Sequence, residues 1–266
     1  MISSRLEQAC QAPASPWMPL RIASQPCGWM HPQVLACLHD AGCELDHGQE
    51  GIDILSVLAG ESPSHCHDAI SAWLMRAAGA LREAGMLKAW RDEKLDVLTH
   101  DGHCLGEIER SAIRPFGFRT RAVHLNAWSA DGRLWIAQRS LKKNTDPGKW
   151  DTLVGGLVSA GETPKLAMLR ESWEEAGLTE EHLEAVKPAG KCLVQRPLPE
   201  GFQVEEVIVF DVMLDDAVEP QNQDGEVHSI HLCDLDEVRH RLQRGEFTLE
   251  AELSIYLSLA SAGLDA

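Results

Sequence analysis

One segment constrains this chain more than any other: Gly156-Leu-Val-Ser-Ala-Gly161-Glu162-Thr-Pro-Lys-Leu-Ala-Met-Leu-Arg170-Glu171-Ser-Trp-Glu174-Glu175-Ala-Gly177-Leu178. Thr163 and Pro164 read as a helix start, a hydroxyl N-cap followed by proline at the first helical position. Gly177 permits the left-handed turn that stops the helix. Between them Leu166, Leu169, Trp173 and Ala176 fall on one stripe, which is expected to be the buried face. At about 100° per residue, Glu171, Glu174 and Glu175 gather on the opposite side. Three carboxylates within one turn repel one another and destabilise a helix. A hard divalent cation removes that penalty, and magnesium takes a few carboxylates together with phosphate oxygens and water. Gly155, Gly156 and Gly161 let backbone approach a ligand closely. Arg170 is spaced to pair with Glu174, or to orient Glu171 or Glu162. A solvated acidic face explains a glutamate cluster taken alone; the added spacing of Glu162, Arg170 and the glycines favours a metal site.

Charge narrows the partners. The 266-residue chain carries a formal charge of -17, with 44% hydrophobic and 24% charged residues. Such an acidic surface repels nucleic-acid backbones and anionic membranes, so neither is an expected partner. An anionic substrate then needs metal cations to set the local field. The eight cysteines are scattered without a C-x-x-C pair. The first residues lack a basic-then-apolar export pattern, and no apolar run reaches membrane-spanning length. Reduced thiols and a cytoplasmic location are the expectation.

The chain divides in the proline- and glycine-marked run 111–117, giving an accessory region over 1–113 and a second domain over 114–266. Residues 1–19 read as irregular or a loose helical arm. Helices are expected over 32–41 and 68–84, and 52–58 is either strand or helix. Strands over 95–99 and 104–108 flank the turn signal Asp101-Gly102. Beyond the boundary, strands over 122–128 and 134–138 surround Asp131-Gly132, and 141–149 is a polar loop. Residues 204–214 and 226–232 read as strands, and 235–244 and 248–262 as helices. The fold class is α+β, a sandwich in the second domain preceded by a smaller α/β accessory domain.

The segment 156–178 resembles the Nudix box at every glycine and charged position, departing only at Ser172, where an aliphatic residue is usual. Membership of the Nudix hydrolases implies an αβα sandwich and cleavage of a diphosphate linkage in a small molecule. It also implies magnesium or manganese held by Glu171, Glu174 and Glu175, with Glu162 in support and Arg170 in the catalytic group. A narrower resemblance rests on Arg110 to Arg121, His124-Leu125-Asn126, Trp135 to Ser140, Pro147 to Asp151, Asp224 to Val227 and Gly245 to Thr248. It is to the Nudix proteins associated with thiamine pyrophosphokinase. That likeness implies thiamine diphosphate or its damaged analogues as substrate, with a monophosphate and phosphate as products.

Further candidates attach to this frame. Asp224 and Glu226 lead into a strand where many Nudix enzymes place an extra carboxylate, so Glu226 joins the candidate metal set, although Asp-Gly is also good turn chemistry. Arg139, Lys142 and Lys143 are cations that contact phosphate or are simply solvated. Trp29, Trp128 or Trp150 offers a ring for a flat cationic heterocycle, against core packing as the ordinary role of a tryptophan. Gly155, Gly156, Arg139, Lys142 and Trp150 form the candidate substrate-binding set. His65-Cys66-His67-Asp68 lacks zinc spacing, and Asp68 reads as part of a helix start. Two alternatives stand beside the hydrolase: an isopentenyl-diphosphate isomerase-like enzyme, which needs a cysteine–glutamate relay, and a non-catalytic diphosphate-binding module. The accessory region is expected to cover the pocket and help select the substrate. The oligomeric state, monomer or homodimer, is left open by the sequence.

Overall fold

The computed structural model describes residues 2–48, 51–58, 63–143 and 145–264. The first region opens with helix α1 (Ile2–Ala9), then strands β1 (Met18–Ile22) and β2 (Gln25–Met30), helix α2 (Pro32–Asp40), and strands β3 (Asp46–Gly48) and β4 (Gly51–Ile54). The four strands form one sheet in the order β2-β1-β4-β3, with β1 and β4 parallel. Helix α3 (Pro63–Glu83) and the hairpin of β5 (Lys94–Leu98) and β6 (Cys104–Glu109) complete this region. Its core joins Leu20, Ile22, Ile52 and Ile54 from the sheet to Ile70, Trp73, Leu74, Ala77 and Leu81 from α3, and it runs on into Phe116 and Phe118. These α3 residues recur at helical spacing and form its buried face. The helix begins at Pro63, before Asp68, so Cys66 and His67 lie within its turns; the His65 side chain lies outside what is described.

The second region is built on a seven-stranded sheet. Its strands are β7 (Arg119–Trp128), β8 (Leu134–Arg139), β9 (Trp150–Thr152), β10 (Val154–Leu157), β11 (Lys187–Leu198), β12 (Gly201–Met213) and β13 (Val227–Cys233). The path β11-β12-β7-β8-β13 forms the backbone of the sheet, with β10 paired to β7 and β9 to β8. Strands β7 and β12 run parallel over ten residue pairs, from Arg119↔Val204 to Trp128↔Met213. Helix α4 (Pro164–Ala176) covers one face, packing Ala167, Met168 and Ala176 against Val123, Leu125 and Ala127. Helices α5 (Leu235–Gln243) and α6 (Leu249–Ser261) cover the other, where Val238, Ala251 and Ile255 meet Leu134 and Ile136. The result is the expected αβα sandwich, preceded by an α/β region.

Several strands go beyond the sequence reading, and two of them run against its turn signals. Residues 25–30 form β2 despite Pro26 and Gly28, and β11 was not anticipated at all. Both lie at sheet edges, where a missing N–H is tolerated, and β11 absorbs Pro188 and Gly190 in a register shift.

The two regions are stitched together beside the Gly156–Leu178 segment. The Ala160 N–H donates to the Lys94 carbonyl (2.9 Å) and the Gly161 N–H to Asp96 Oδ1 (3.0 Å). Arg121 reaches Asp96 Oδ2 at 3.2 Å. The β5–β6 hairpin thus rests on the loop that leads into α4.

Candidate active site

Helix α4 is placed by its ends and by glycine. The Thr163 hydroxyl accepts from the Leu166 N–H at 3.3 Å. At the other end Gly177 adopts φ 64°, while the Gly177 and Leu178 N–H groups return to the carbonyls of Trp173 and Ser172. This is the paired-hydrogen-bond stop that a left-handed glycine permits. Below the helix runs β10, and a Cβ on Gly156 would stand 2.1 Å from the Glu171 carboxyl carbon. Glycine at 156 is therefore what lets Glu171 lie across the strand.

The helix buries only part of the stripe its apolar residues suggest: Ala176 is buried and Leu169 packs against the core. Leu166 and Trp173 are 55% and 54% exposed, whereas Ser172 and Glu175 are buried. The close approach to Gly155 and Gly156 selects small side chains and the two inward glutamates, and turns the large apolar groups outward. Ser172 fits the contact because it is small; its hydroxyl lies 3.7 Å from the Met168 sulfur.

Arg170 organises the outer carboxylates. Its Nε and Nη2 donate to both oxygens of Glu162 at 3.0 Å each. Its Nη1 donates to Glu171 Oε1 at 2.7 Å and Glu174 Oε2 at 3.1 Å. The pairings left open by spacing are all made at once. Burial alone would raise Glu162, but the fork from Arg170 outweighs it and holds the carboxyl below the usual range. Glu171 is pushed up by burial, with Arg170 opposing and Glu174 adding to the rise.

Glu175 is the inner carboxylate. Burial pushes it up to about 8, against the attraction of Lys143 at 3.6 Å. Its Oε2 accepts from the Gly155 N–H at 2.8 Å. Lys143 also pairs with Glu226, and that contact overcomes burial to keep Glu226 below its usual value. Glu226 arrives here because the N–H groups of Gln223 and Asp224 both donate to the Glu174 carbonyl, which hangs its loop on the end of α4.

These groups line one side of a cavity of about 430 Å³. Of the residues singled out from the sequence, Gly155, Gly156, Arg139, Arg170, Glu171, Glu174 and Glu226 line it, with Asp224. Glu162 and Glu175 stand behind them, each tied to a lining residue. Lys142 and Trp150 are not among the described lining residues. Lys142 is exposed, and the neighbouring Lys143 takes the inward position. The Trp150 ring is buried under the Arg241 guanidinium, 4.3 Å from its centroid, and the His231 edge. Trp128 is held by its Nε1–H bond to Ser258 and Trp29 packs against Gly117, so neither ring lines the cavity.

The structure adds residues that sequence reasoning passed over. His124 Nδ1 lies 2.9 Å from the Thr152 hydroxyl and 3.6 Å from Asp151, which in turn receives Arg139 Nη1 at 2.8 Å. Burial lowers His124 despite Asp151, favouring the neutral ring. Glu93, Arg110 and Arg114 come from the accessory region and its junction, while Gln203, Glu205 and Glu250 come from β12 and α6. The signal for Glu205 was the Glu205-Glu206 pair interrupting the apolar residues of its strand.

The donor set suits a hard cation, since every candidate ligand is a carboxylate and no thiolate or imidazole stands among them. Among the described residues, no three such side chains already converge on one point. The reason is visible: Arg170 and Lys143 hold the oxygens in separate hydrogen bonds. By donor type, the residues fit a hard divalent ion.

A NUDIX domain profile matches residues 117–252, and the chain belongs to that family. It is 27% identical over 235 residues to Nudix hydrolase 24, chloroplastic, of Arabidopsis thaliana, covering 87% of this chain and 63% of the relative. It is 32% identical over 171 residues to Nudix hydrolase 20, chloroplastic, of the same plant, covering 63% and 46%. The chain thus spans less than two thirds of the length of these relatives. A crystal structure from Deinococcus radiodurans superposes with a TM-score of 0.50 at 24% identity, covering 62% of this chain and 97% of that one, which shows the shared fold.

Proposed function

We propose that this protein hydrolyses a diphosphate linkage in a small molecule with the help of magnesium or manganese, and that thiamine diphosphate or a damaged analogue of it is the substrate. The observation that carries the reading is the placement of Glu171 and Glu174 on one cavity wall, with Glu175 and Glu162 fixed behind them. Glu171, Glu174 and Glu175 would hold the cation, with Glu226 close by and Glu162 positioning Arg170. When bound, the cation neutralises charge developing on the phosphate oxygens as water attacks phosphorus.

The chain's own residues prepare that event. Lys143 and Arg139 give the acidic cavity local positive charge for the phosphates, and Arg139 is braced by Asp151. Glu175 is locked by the Gly155 N–H, so its orientation does not depend on the ligand. Arg110 from the accessory region and Arg114 at its edge also line the cavity, which supports a role for that region in substrate selection. The isomerase reading requires a cysteine at the reacting carbon, and no cysteine is among the described lining residues.

The test is product analysis on a panel of thiamine diphosphate, its oxidised analogues, and nucleoside and sugar diphosphates. Release of phosphate and a monophosphate from the thiamine compounds, ahead of the others by kcat/KM, is the expected result. A preference for nucleoside or sugar diphosphates would remove thiamine from the reading and leave the hydrolase. Double-bond migration in an isoprenoid diphosphate without phosphate release would replace the hydrolase with the isomerase.

A further inference from the structure

The cavity is a cleft whose lining passes from the α4 glutamates to Glu205, Thr248 and Glu250, from β12 and the start of α6. Strand β7 adds Ala122 and His124 to that lining. Alternate side chains of a strand point to opposite faces. Val123, Leu125 and Ala127 pack under α4, whereas Asn126 donates from its Nδ2 to the Ser254 carbonyl of α6. His124 belongs with Asn126, on the α6 face. It is 4% exposed and lines the cavity, yet no step of the hydrolytic reading uses it.

The ring is fixed, and its hydrogen can be placed. Gly155 pairs with His124 across β10 and β7, and a Cβ there would stand 3.0 Å from the ring's Cε1. The Thr152 hydroxyl has one hydrogen and gives it to the Val154 carbonyl at 2.7 Å. In its 2.9 Å contact with His124 Nδ1 the same oxygen therefore accepts, which puts the ring hydrogen on Nδ1. Asp151 Oδ1, 3.6 Å from Nδ1, favours the same placement. Burial keeps the ring below its usual value and hence neutral near pH 7, against the charges of Asp151 and Glu250. Nε2 is left as a bare lone pair, with no hydrogen-bond partner among the described residues. A buried acceptor without a partner is costly, so the cavity is shaped to receive a donor at this point.

We propose that His124 is a specificity-determining residue: its Nε2 accepts an N–H from the organic group of the substrate, and so selects diphosphates that carry such a donor. The inference rests on the hydrolase reading for its orientation, with the phosphates at the α4 end. An ionised diphosphate has no hydrogen to offer, so the partner of Nε2 is the organic group and not the phosphates. Thr152 acts one step further out, as the group that sets the tautomer. A substrate lacking the donor would leave Nε2 buried and unpaired, so discrimination comes from one missing hydrogen bond and not from size.

The probes are thiamine diphosphate and adenosine diphosphate, each beside the analogue in which hydrogen replaces the ring amino group. Turnover and calorimetric binding are measured on the full chain and on His124→Asn, whose amide still donates to Thr152 but does not reach the Nε2 position. At least one amino compound should lead its analogue by about tenfold or more in kcat/KM, and the ratio should fall towards one in the variant through KM. Equal handling of both pairs by the unmodified protein overturns the inference, whether or not the variant folds. So does a ratio that survives the substitution. An equal fall in kcat for both members overturns it too, and would make His124 a proton acceptor for water. With isotopically labelled histidine rings, nitrogen NMR of the unmodified protein should show one Nε2 signal that moves upfield when the favoured amino compound binds. No such movement overturns the inference without any variant. If no compound releases phosphate with magnesium, the hydrolase reading fails for these substrates. Calorimetry then decides the inference alone: amino-dependent binding that is lost in the variant sustains it, and equal or absent binding overturns it.

Discussion

The cleft presents carboxylates at both ends, and they are kept in opposite ways. At the α4 end every acid has a cationic partner: Arg170 serves Glu162, Glu171 and Glu174, while Lys143 serves Glu175 and Glu226. On β12, Glu205 is buried with hydrogen bonds from Thr120 and Gln203, the charge of Glu250 beside it and only Arg114 in opposition. The first arrangement is a set of charges that can be handed from side chains to a bound cation. The second is a buried acid that burial and Glu250 hold towards its protonated form. The difference separates acids paired with cations from one held towards its neutral form by burial.

The largest effect should come from the α4 end. Glu171→Gln keeps shape and removes a ligand charge, so kcat should fall at least about a hundredfold with little change in fold. Steady-state kinetics with a circular-dichroism control checks this, and full activity in the variant would erase the distinction between the two ends. Arg170→Ala should lower metal-free stability by roughly 1–3 kcal/mol, because several partly buried acids lose their shared donor. Urea melts with and without magnesium test the pairing: part of the loss should return when the cation is added, and an equal loss in both conditions would argue that Arg170 acts only in packing.

At the β12 end the signature is pH. The folded-state value of Glu205 is raised from 4.5 to about 7, so the folded protein keeps a proton that the unfolded chain has released. Its contribution to stability is complete below about 4.5 and declines as pH rises towards about 7. The groups facing it are Glu250, Arg114, Thr120 and Gln203. Glu205→Gln should flatten the profile between these values, by about 1–3 kcal/mol across the window. Parallel profiles for the two proteins would mean that Glu205 is already paired. The smallest effect is expected on the outer face of α4, where Trp173→Ala should change stability by less than about 1 kcal/mol. A loss of about 3–5 kcal/mol, the range for a buried tryptophan, would restore the stripe read from the sequence.

What the sequence disclosed follows from what is local. The caps of α4, the glycines of β10 and the carboxylate spacing are written within a few residues of each other, and all appear in place. The packing face of α4 was right for Leu169 and Ala176 and wrong for Leu166 and Trp173, because apolar periodicity assumes that large apolar residues go inward. Here a strand of glycines brings the helix too close for Trp173 and Leu166, and the inward positions go to Ser172 and Glu175. Choosing between Lys142 and Lys143 depends on the turn of one loop, which no periodicity records. Glu205 and Arg110 meet only through the pairing of β12 with β7 and the docking of the β5–β6 hairpin, contacts between distant parts of the chain. The β11 strand was missed for a similar reason: its prolines signal a loop until an edge position in the sheet makes them harmless.

The central claim is that the α4 carboxylates carry metal-dependent cleavage of a diphosphate. Its most direct test is phosphate release from the preferred diphosphate under magnesium, under EDTA, and with Glu174→Gln. The expected result is release that needs the metal, stops on chelation, returns on adding magnesium, and is abolished by the substitution. Release that persists in EDTA, or that Glu174→Gln leaves intact, would contradict it.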